Sequence, residues 1–296
     1  MKTVGLVNIR EGQAYAIMLA PALLALTLLV AVPLVYLIYT SLLEWKLTDP
    51  LGKTFVGTAN YVRMFQDGDF WHAVRVTAIF IVGSVSLQLA IGLALVEALA
   101  SVRRGAATIR TVLILPMVIP PLVVGLIWRI LYDPTAGLAN YLLGLVGLSH
   151  PWLADHRTAL GAVILTDVWE WTPFVLLILV ASYSAIPDAV NEAAAVDGAT
   201  RWERFRFVTL PLIRPMLATV AILRMIDVIR EFAKIFVTTG GGPGTTTETV
   251  NMYTYRLGFV YGEVGYAATL GVFMFLTVLA LTVGLVRLER RFAEAR

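Results

Sequence analysis

Ile186-Pro-Asp-Ala-Val-Asn-Glu-Ala-Ala-Ala-Val-Asp-Gly-Ala-Thr-Arg-Trp-Glu-Arg-Phe-Arg-Phe-Val-Thr-Leu-Pro-Leu-Ile-Arg-Pro215 is a charged stretch between two long apolar runs, 160–183 and 212–237. Pro187 suits the first turn of a helix, and Asp188 adds a favourable charge there. Residues 189–196 are mostly good helix formers. Gly198 can take a left-handed conformation and stop that helix. Trp202, Phe205 and Val208 then recur at helical spacing, with Arg201, Glu203, Arg204 and Arg206 among them. Pro211 and Pro215 mark the start of the next apolar run. The stretch therefore reads as a helix–Gly–helix elbow outside the apolar runs. An elbow of this kind can dock into a groove on a partner protein, or lie on a membrane surface with its arginines near lipid phosphates. The chemistry of the stretch leaves both open.

Outward from the elbow, the chain is dominated by apolar runs. It has 296 residues, 58% of them hydrophobic and 15% charged. A soluble protein has about 45–50% apolar and roughly 25% charged residues, so the surplus faces something other than water. A helix crossing a ~30 Å hydrocarbon core needs about 20 apolar residues. Six runs qualify: 14–37, 76–100, 111–131, 160–183, 212–237 and 266–286, the third and fifth with polar residues inside. The predicted fold class is all-α, a polytopic membrane protein of six transmembrane helices with a cytoplasmic elbow. Residues 1–13 form an N-terminal cytoplasmic segment, 14–286 the membrane domain with the elbow at about 185–211, and 287–296 a cytoplasmic tail. The first run is too long for a signal-peptide core, and no small-residue cleavage site follows it closely. Without cysteine there is no disulfide, thiolate metal site or cysteine nucleophile.

Positive residues are retained on the cytoplasmic side. One set of loops holds 13 of the 23 Lys and Arg: Lys2, Arg10, Arg103, Arg104, Arg110, Arg201, Arg204, Arg206, Arg214, Arg287, Arg290, Arg291 and Arg296. The opposite set holds Lys46, Lys53, Arg63, Arg75, Arg157 and Arg256. Both termini and the elbow are thus expected on the cytoplasmic side of the membrane. This placement accounts for the net charge of +3 without nucleic acid.

Ionisable residues inside a span are functional candidates by default. The fifth run carries Arg224, Asp227, Arg230, Glu231 and Lys234 at spacings that share a helical face. Such a face can line a hydrated pathway whose groups hydrogen-bond a polar solute, or form an ion-paired seam against a neighbouring span or subunit. The fourth run carries Asp167, Trp169, Glu170 and Trp171. Its aromatic rings can pack on the CH surfaces of a solute or serve as an interfacial belt. Gly240–Gly244 and Gly52-Lys53-Thr54 both lack the glycine spacing and strand–helix context of a P-loop, so no ATP site is expected in this chain. His72, His150 and His156 have no metal-ligand spacing, and no metal or catalytic residue is assigned.

Within the elbow, Glu192-Ala193-Ala194, then Gly198, then Val208-x-Leu210-Pro211 resembles the EAA loop of binding-protein-dependent ABC importers. Asp197-Gly198-Ala199, Phe205 and Pro215 match its sugar-type extension. The resemblance to carbohydrate-type permeases, of the maltose and glycerol-phosphate kind listed first in each pair, extends along most of the chain. It includes residues 55–61, Leu115-Pro116, Trp171-Thr-Pro-Phe174 and Thr239-Gly-Gly-Gly-Pro243. Many such relatives have an acidic residue near the end of span five where this chain has Ala233 and Lys234.

The resemblance implies a type I ABC importer permease fold. Glu192, Ala193, Ala194, Asp197, Gly198, Ala199, Arg201 and Phe205 would couple to an ATPase subunit. Two such subunits would bind ATP and Mg. A second permease and an extracytoplasmic solute-binding protein would complete the complex around a sugar or polyol. The mechanism expected is alternating access, with no catalysis by this chain. A secondary transporter would favour internal repeats, and none is evident. A membrane enzyme would need a nucleophile–base pair or metal set that the charged runs do not supply.

Overall fold

A computed structural model describes residues 11–49, 52–100, 102 and 105–294. Most of the N-terminal segment, with Lys2 and Arg10, lies outside the described residues, as do Arg103, Arg104 and Arg296. The described residues are mostly helical, with one short hairpin and the loops between elements. In order it forms α1 (Glu11–Ser41), β1 (Leu43–Trp45), β2 (Lys53–Phe55), α2 (Ala59–Gln66), α3 (Gly68–Ala100), α4 (Ala106–Ile114), a 3-10 turn (Leu115–Val118) and α5 (Pro121–Leu131). There follow α6 (Leu138–Gly144), α7 (Ala159–Ser184), α8 (Asp188–Val196), α9 (Arg201–Arg204), α10 (Leu210–Ile229), α11 (Ala233–Thr238), α12 (Val250–Tyr255) and α13 (Val264–Glu294).

Among the described residues, four stretches are long and apolar enough to cross a membrane: Met18–Ser41, Gly68–Ala100, Ala159–Ser184 and Val264–Leu288. The third expected span is a bent pair, Thr108–Val118 and Pro121–Leu131, meeting at 96°. Prolines cause the bend. A residue before proline is pushed to extended geometry, and Ile119 and Pro120, each followed by a proline, have ψ of 130° and 138°.

The fifth expected span is also discontinuous: α10 stops at Ile229 and α11 restarts at Ala233. Continuing the helix would require the Lys234 amide to donate to the Arg230 carbonyl. That carbonyl accepts from Asn251 Nδ2 at 2.9 Å, and the Lys234 amide donates to Glu231 Oε1 at 3.0 Å. A local carboxylate thus outcompetes the helical bond.

The chain divides into two units. One comprises Met1–Met64 with Leu257–Val272. Here β1 and β2 pair antiparallel, Leu43 opposite Phe55. Asn60 Nδ2 donates to the carbonyls of Ser41 and Leu43, both at 2.9 Å. Glu263 pairs with Arg63 at 2.7 Å and Lys46 at 3.3 Å. None of the hydropathic window of α1 is buried within the chain. Apolar surface of that extent belongs against lipid or another subunit.

At Gly265 the start of α13 passes directly against β1: an added Cβ would overlap the Leu43 carbonyl oxygen. Alanine there gains at most about 1 kcal/mol of helix propensity. The obstacle is backbone, so the overpacking cost is taken as about 3 kcal/mol. Gly265→Ala is expected to lower the melting temperature of the detergent-solubilised protein. A melting temperature at or above the parent's would show that the hairpin yields freely.

The other unit comprises Phe65–Arg256 with Phe273–Arg296. Its core is a sandwich of α3, α7 and α10 in two apolar clusters. Phe80, Val85, Val163, Val168 and Val228 join Ile235 and Met252 in one. Val96, Leu99, Val175, Leu176, Leu179, Ile213 and Val220 form the other.

Candidate functional site

Two features of the second unit carry chemistry: a buried polar cluster at the break between α10 and α11, and the elbow.

The cluster centres on Lys234, whose side chain is fully buried. Its ammonium lies 2.8 Å from Asp167 Oδ1, 2.5 Å from Glu170 Oε2 and 2.8 Å from Glu231 Oε2. Asp167 and Glu170 are three apart on α7, so both reach the same point. Arg224, 1% exposed, is held from the other side. Its Nε donates to Gln88 Oε1 at 2.9 Å, and its Nη2 and Nη1 lie 3.4 Å from Asp167 and Asp227. Gln88 Nε2 donates to Asp167 Oδ2 at 2.8 Å. The guanidinium carbon sits 4.6 Å over the Trp171 ring. One carboxylate therefore serves both cations, and α3, α7, α10 and α11 are tied at a single place. Buried charges persist only when paired and hydrogen-bonded in this way.

The expected pathway residues separate into three groups. Glu170 and Arg224 are buried in the cluster, Glu231 is nearly so, and Trp171 underlies Arg224. Asp227 and Arg230 pair at 2.9 Å toward the accessible side, with side chains 39% and 60% exposed. Trp169 faces elsewhere, edge-on to Trp128 at 5.6 Å. With Trp128 and Tyr132 it lines an apolar cavity of about 640 Å³.

Sequence reasoning gave no role to Gln88, and it named Asp167 and Lys234 among the charged residues of the fourth and fifth runs without pairing them. An amide in an apolar run and an i,i+3 acidic pair beside a lysine were the available signals.

The elbow is built from local rules. Helix α8 ends at Gly198, φ +73°. The Ala199 amide donates to the Ala194 carbonyl at 3.0 Å and the Gly198 amide to Ala195 at 3.1 Å, the paired bonds of a Schellman ending. The next helix opens with a capping box: Glu203 N donates to Thr200 Oγ1, and Thr200 N donates to Glu203 Oε2 at 2.8 Å. The Thr200 hydroxyl and then its amide hold the Glu203 carboxyl below its ordinary range. Residues Phe205–Thr209 form a wide π turn leading into α10, with Pro211 just beyond. A π turn accommodates a residue that cannot donate its amide.

Of the expected coupling residues, Glu192, Ala193, Asp197 and Arg201 are exposed, Ala199 and Phe205 are half-buried, and Ala194 is buried. Gly198 forms the corner. Apolar side chains surround it in the open: Val196 at 87%, Trp202 at 63% and Phe207 at 69% exposure. The elbow thus exposes large apolar side chains among charged ones.

Residues 88–294 match the family described as binding-protein-dependent transport system inner membrane component. A probable ABC transporter permease protein of Sinorhizobium fredii is 38% identical, over 90% of this chain and 86% of that protein. The trehalose/maltose transport system permease protein MalF of Thermococcus litoralis is 33% identical over 95% of both. In fold, the chain is similar to one from the crystal structure of a bacterial ABC transporter involved in import of the acidic polysaccharide alginate. The TM-score is 0.81 at 24% identity, covering 95% of this chain and 96% of that one. Given these matches and the elbow that Gly198 ends, the chain belongs to the binding-protein-dependent inner-membrane permeases of ABC transport systems.

Proposed function

We propose that this chain is one of two permease subunits of an ATP-driven importer for a sugar or sugar alcohol, with six spans and both termini in the cytoplasm. Family membership together with the apolar elbow face, open at Val196, Trp202 and Phe207, carries the reading. A surface of that kind needs a groove to fill, and an ATPase subunit supplies one by helix-in-groove docking. The trehalose/maltose relative supports the sugar class.

In this reading Asp227 and Arg230 front the translocation pathway, where a forked donor and a carboxylate suit a polyhydroxylated solute, while Trp169 lines the apolar cavity beside Trp128. Glu170, Trp171, Arg224 and Glu231 stand behind them, and with Lys234 fix the break at residues 230–232. Docking of a solute-binding protein and ATP-driven closure of two ATPase subunits rock the spans between outward- and inward-open states. ATP and Mg belong to those subunits. Solute choice is shared between the binding protein and the pathway wall.

The test is a mild-detergent pull-down of the tagged chain from its own host, with mass spectrometry of what copurifies. A second permease and an ATPase are expected, together with a binding protein that can be screened against sugars and polyols. A folded, monodisperse chain recovered alone would overturn the proposal.

A further inference from the structure

The root of the elbow holds a second site, separate from the pathway. A cavity of about 390 Å³ opens where α3 and α7 end and where α4 and α9 pass. Arg110 and Arg204 both line it. Neither makes an ion pair among the described residues, and the buried Arg110 Nε has no hydrogen-bond partner there. Buried donors are ordinarily satisfied, so an unmet guanidinium N–H beside a second guanidinium points to a missing acceptor of negative charge. Hydroxyls of Ser184 and Thr209 also reach the cavity. Its single carboxylate, Glu97, already accepts the Tyr183 hydroxyl at 2.7 Å, leaving the lining with one net positive charge.

The lining also has an apolar part, made by Val96, Ala100, Val180 and Ile186. Val96 and Val180 lie in the last turns of the two spans. A cationic end continuous with an apolar wall at the ends of membrane helices fits an amphiphile better than a free anion. The arginine-rich side of the membrane is also the side where anionic headgroups attract such residues.

We propose that this cavity binds the phosphodiester headgroup of an anionic phospholipid. The phosphate lies between Arg110 and Arg204, and the glycerol and acyl carbons lie along the apolar wall. Because Arg204 belongs to the elbow and Arg110 to the membrane helices, the lipid ties the elbow to the bilayer.

The full chain, purified in neutral detergent with the subunits that accompany it, is delipidated and titrated with phosphatidylglycerol or phosphatidylcholine. Bound lipid is counted by native mass spectrometry. Phosphatidylglycerol is expected to be retained in preference, and each guanidinium removed is expected to lower its affinity about fivefold. The double change Arg110→Gln with Arg204→Gln therefore reduces retention most. The double lysine variant keeps most of it, which separates loss of charge from loss of fold. Arg290→Gln, an exposed arginine late in α13, leaves retention unchanged. Equal retention of the two lipids, or an equal loss with Arg290→Gln, would overturn the proposal. Displacement of the lipid by millimolar inorganic phosphate would assign the site to a soluble anion and overturn it as well.

Discussion

Lys234→Met is expected to remove most of the folded protein from the membrane. The substitution keeps the length of the side chain and deletes one charge. That charge faces Asp167, Glu170 and Glu231 at 2.8, 2.5 and 2.8 Å, at a place where the ammonium is wholly buried. A buried ion network contributes little net stability when intact, but deleting one partner strands the others, at about 3–5 kcal/mol. Total stabilities are about 5–15 kcal/mol, so the loss is a large share of the whole. Yield of monodisperse protein and its melting temperature in detergent measure it. Adding Glu170→Gln and Glu231→Gln to Lys234→Met is expected to recover part of the loss, because the amides no longer need a counter-ion while Asp167 stays paired with Arg224. Lys234→Met protein as stable as the parent would show that water fills the pocket and that the cluster is not a structural centre.

Gly198→Val is expected to leave the protein in the membrane and abolish most transport. At φ +73° an L side chain costs about 1–2 kcal/mol, and a branched one lies at the upper end. Nothing lies within 4 Å of the Cβ position, so the penalty falls on the corner alone and not on any packing. The native elbow geometry loses about five- to thirtyfold in population. Uptake by vesicles, measured beside the stimulation of ATP hydrolysis by the binding protein, is expected to fall by a similar factor at unchanged membrane abundance. Unchanged uptake would remove the elbow from the coupling route. Disappearance of the protein would make Gly198 a folding requirement instead.

Much of this architecture is legible in the sequence because its signals are local. Gly198 after an alanine-rich helix, and Thr200 three residues before Glu203, specify the elbow without reference to anything distant. The four uninterrupted spans follow from length and apolarity alone. What is not legible depends on partners far apart in the chain. Gln88 meets Asp167 across 79 positions and Arg224 across 136. No periodicity announces that a glutamine in the second span will bridge the fourth and fifth. The break in α10 is hidden for the same reason: Asn251 takes the Arg230 carbonyl from 21 residues away. The bend at Pro116, Pro120 and Pro121 was open to a local reading. The apolar count that suggested one straight span gave those prolines too little weight.

That bend also governs the parity of the chain's crossings. Counted as one traverse, the pair α4–α5 places residues 105–110 and the elbow on the same face, so Arg110 shares a compartment with Arg201, Arg204 and Arg206. Counted as a dip that returns to its own side, it moves those three arginines to the opposite compartment, across the membrane from Arg110. Positive residues stay where synthesis leaves them. In the proposed six-span arrangement the sharp angle at Ile119 and Pro120 is a corner turned within the thickness of the bilayer, and every loop after it takes its side from that crossing.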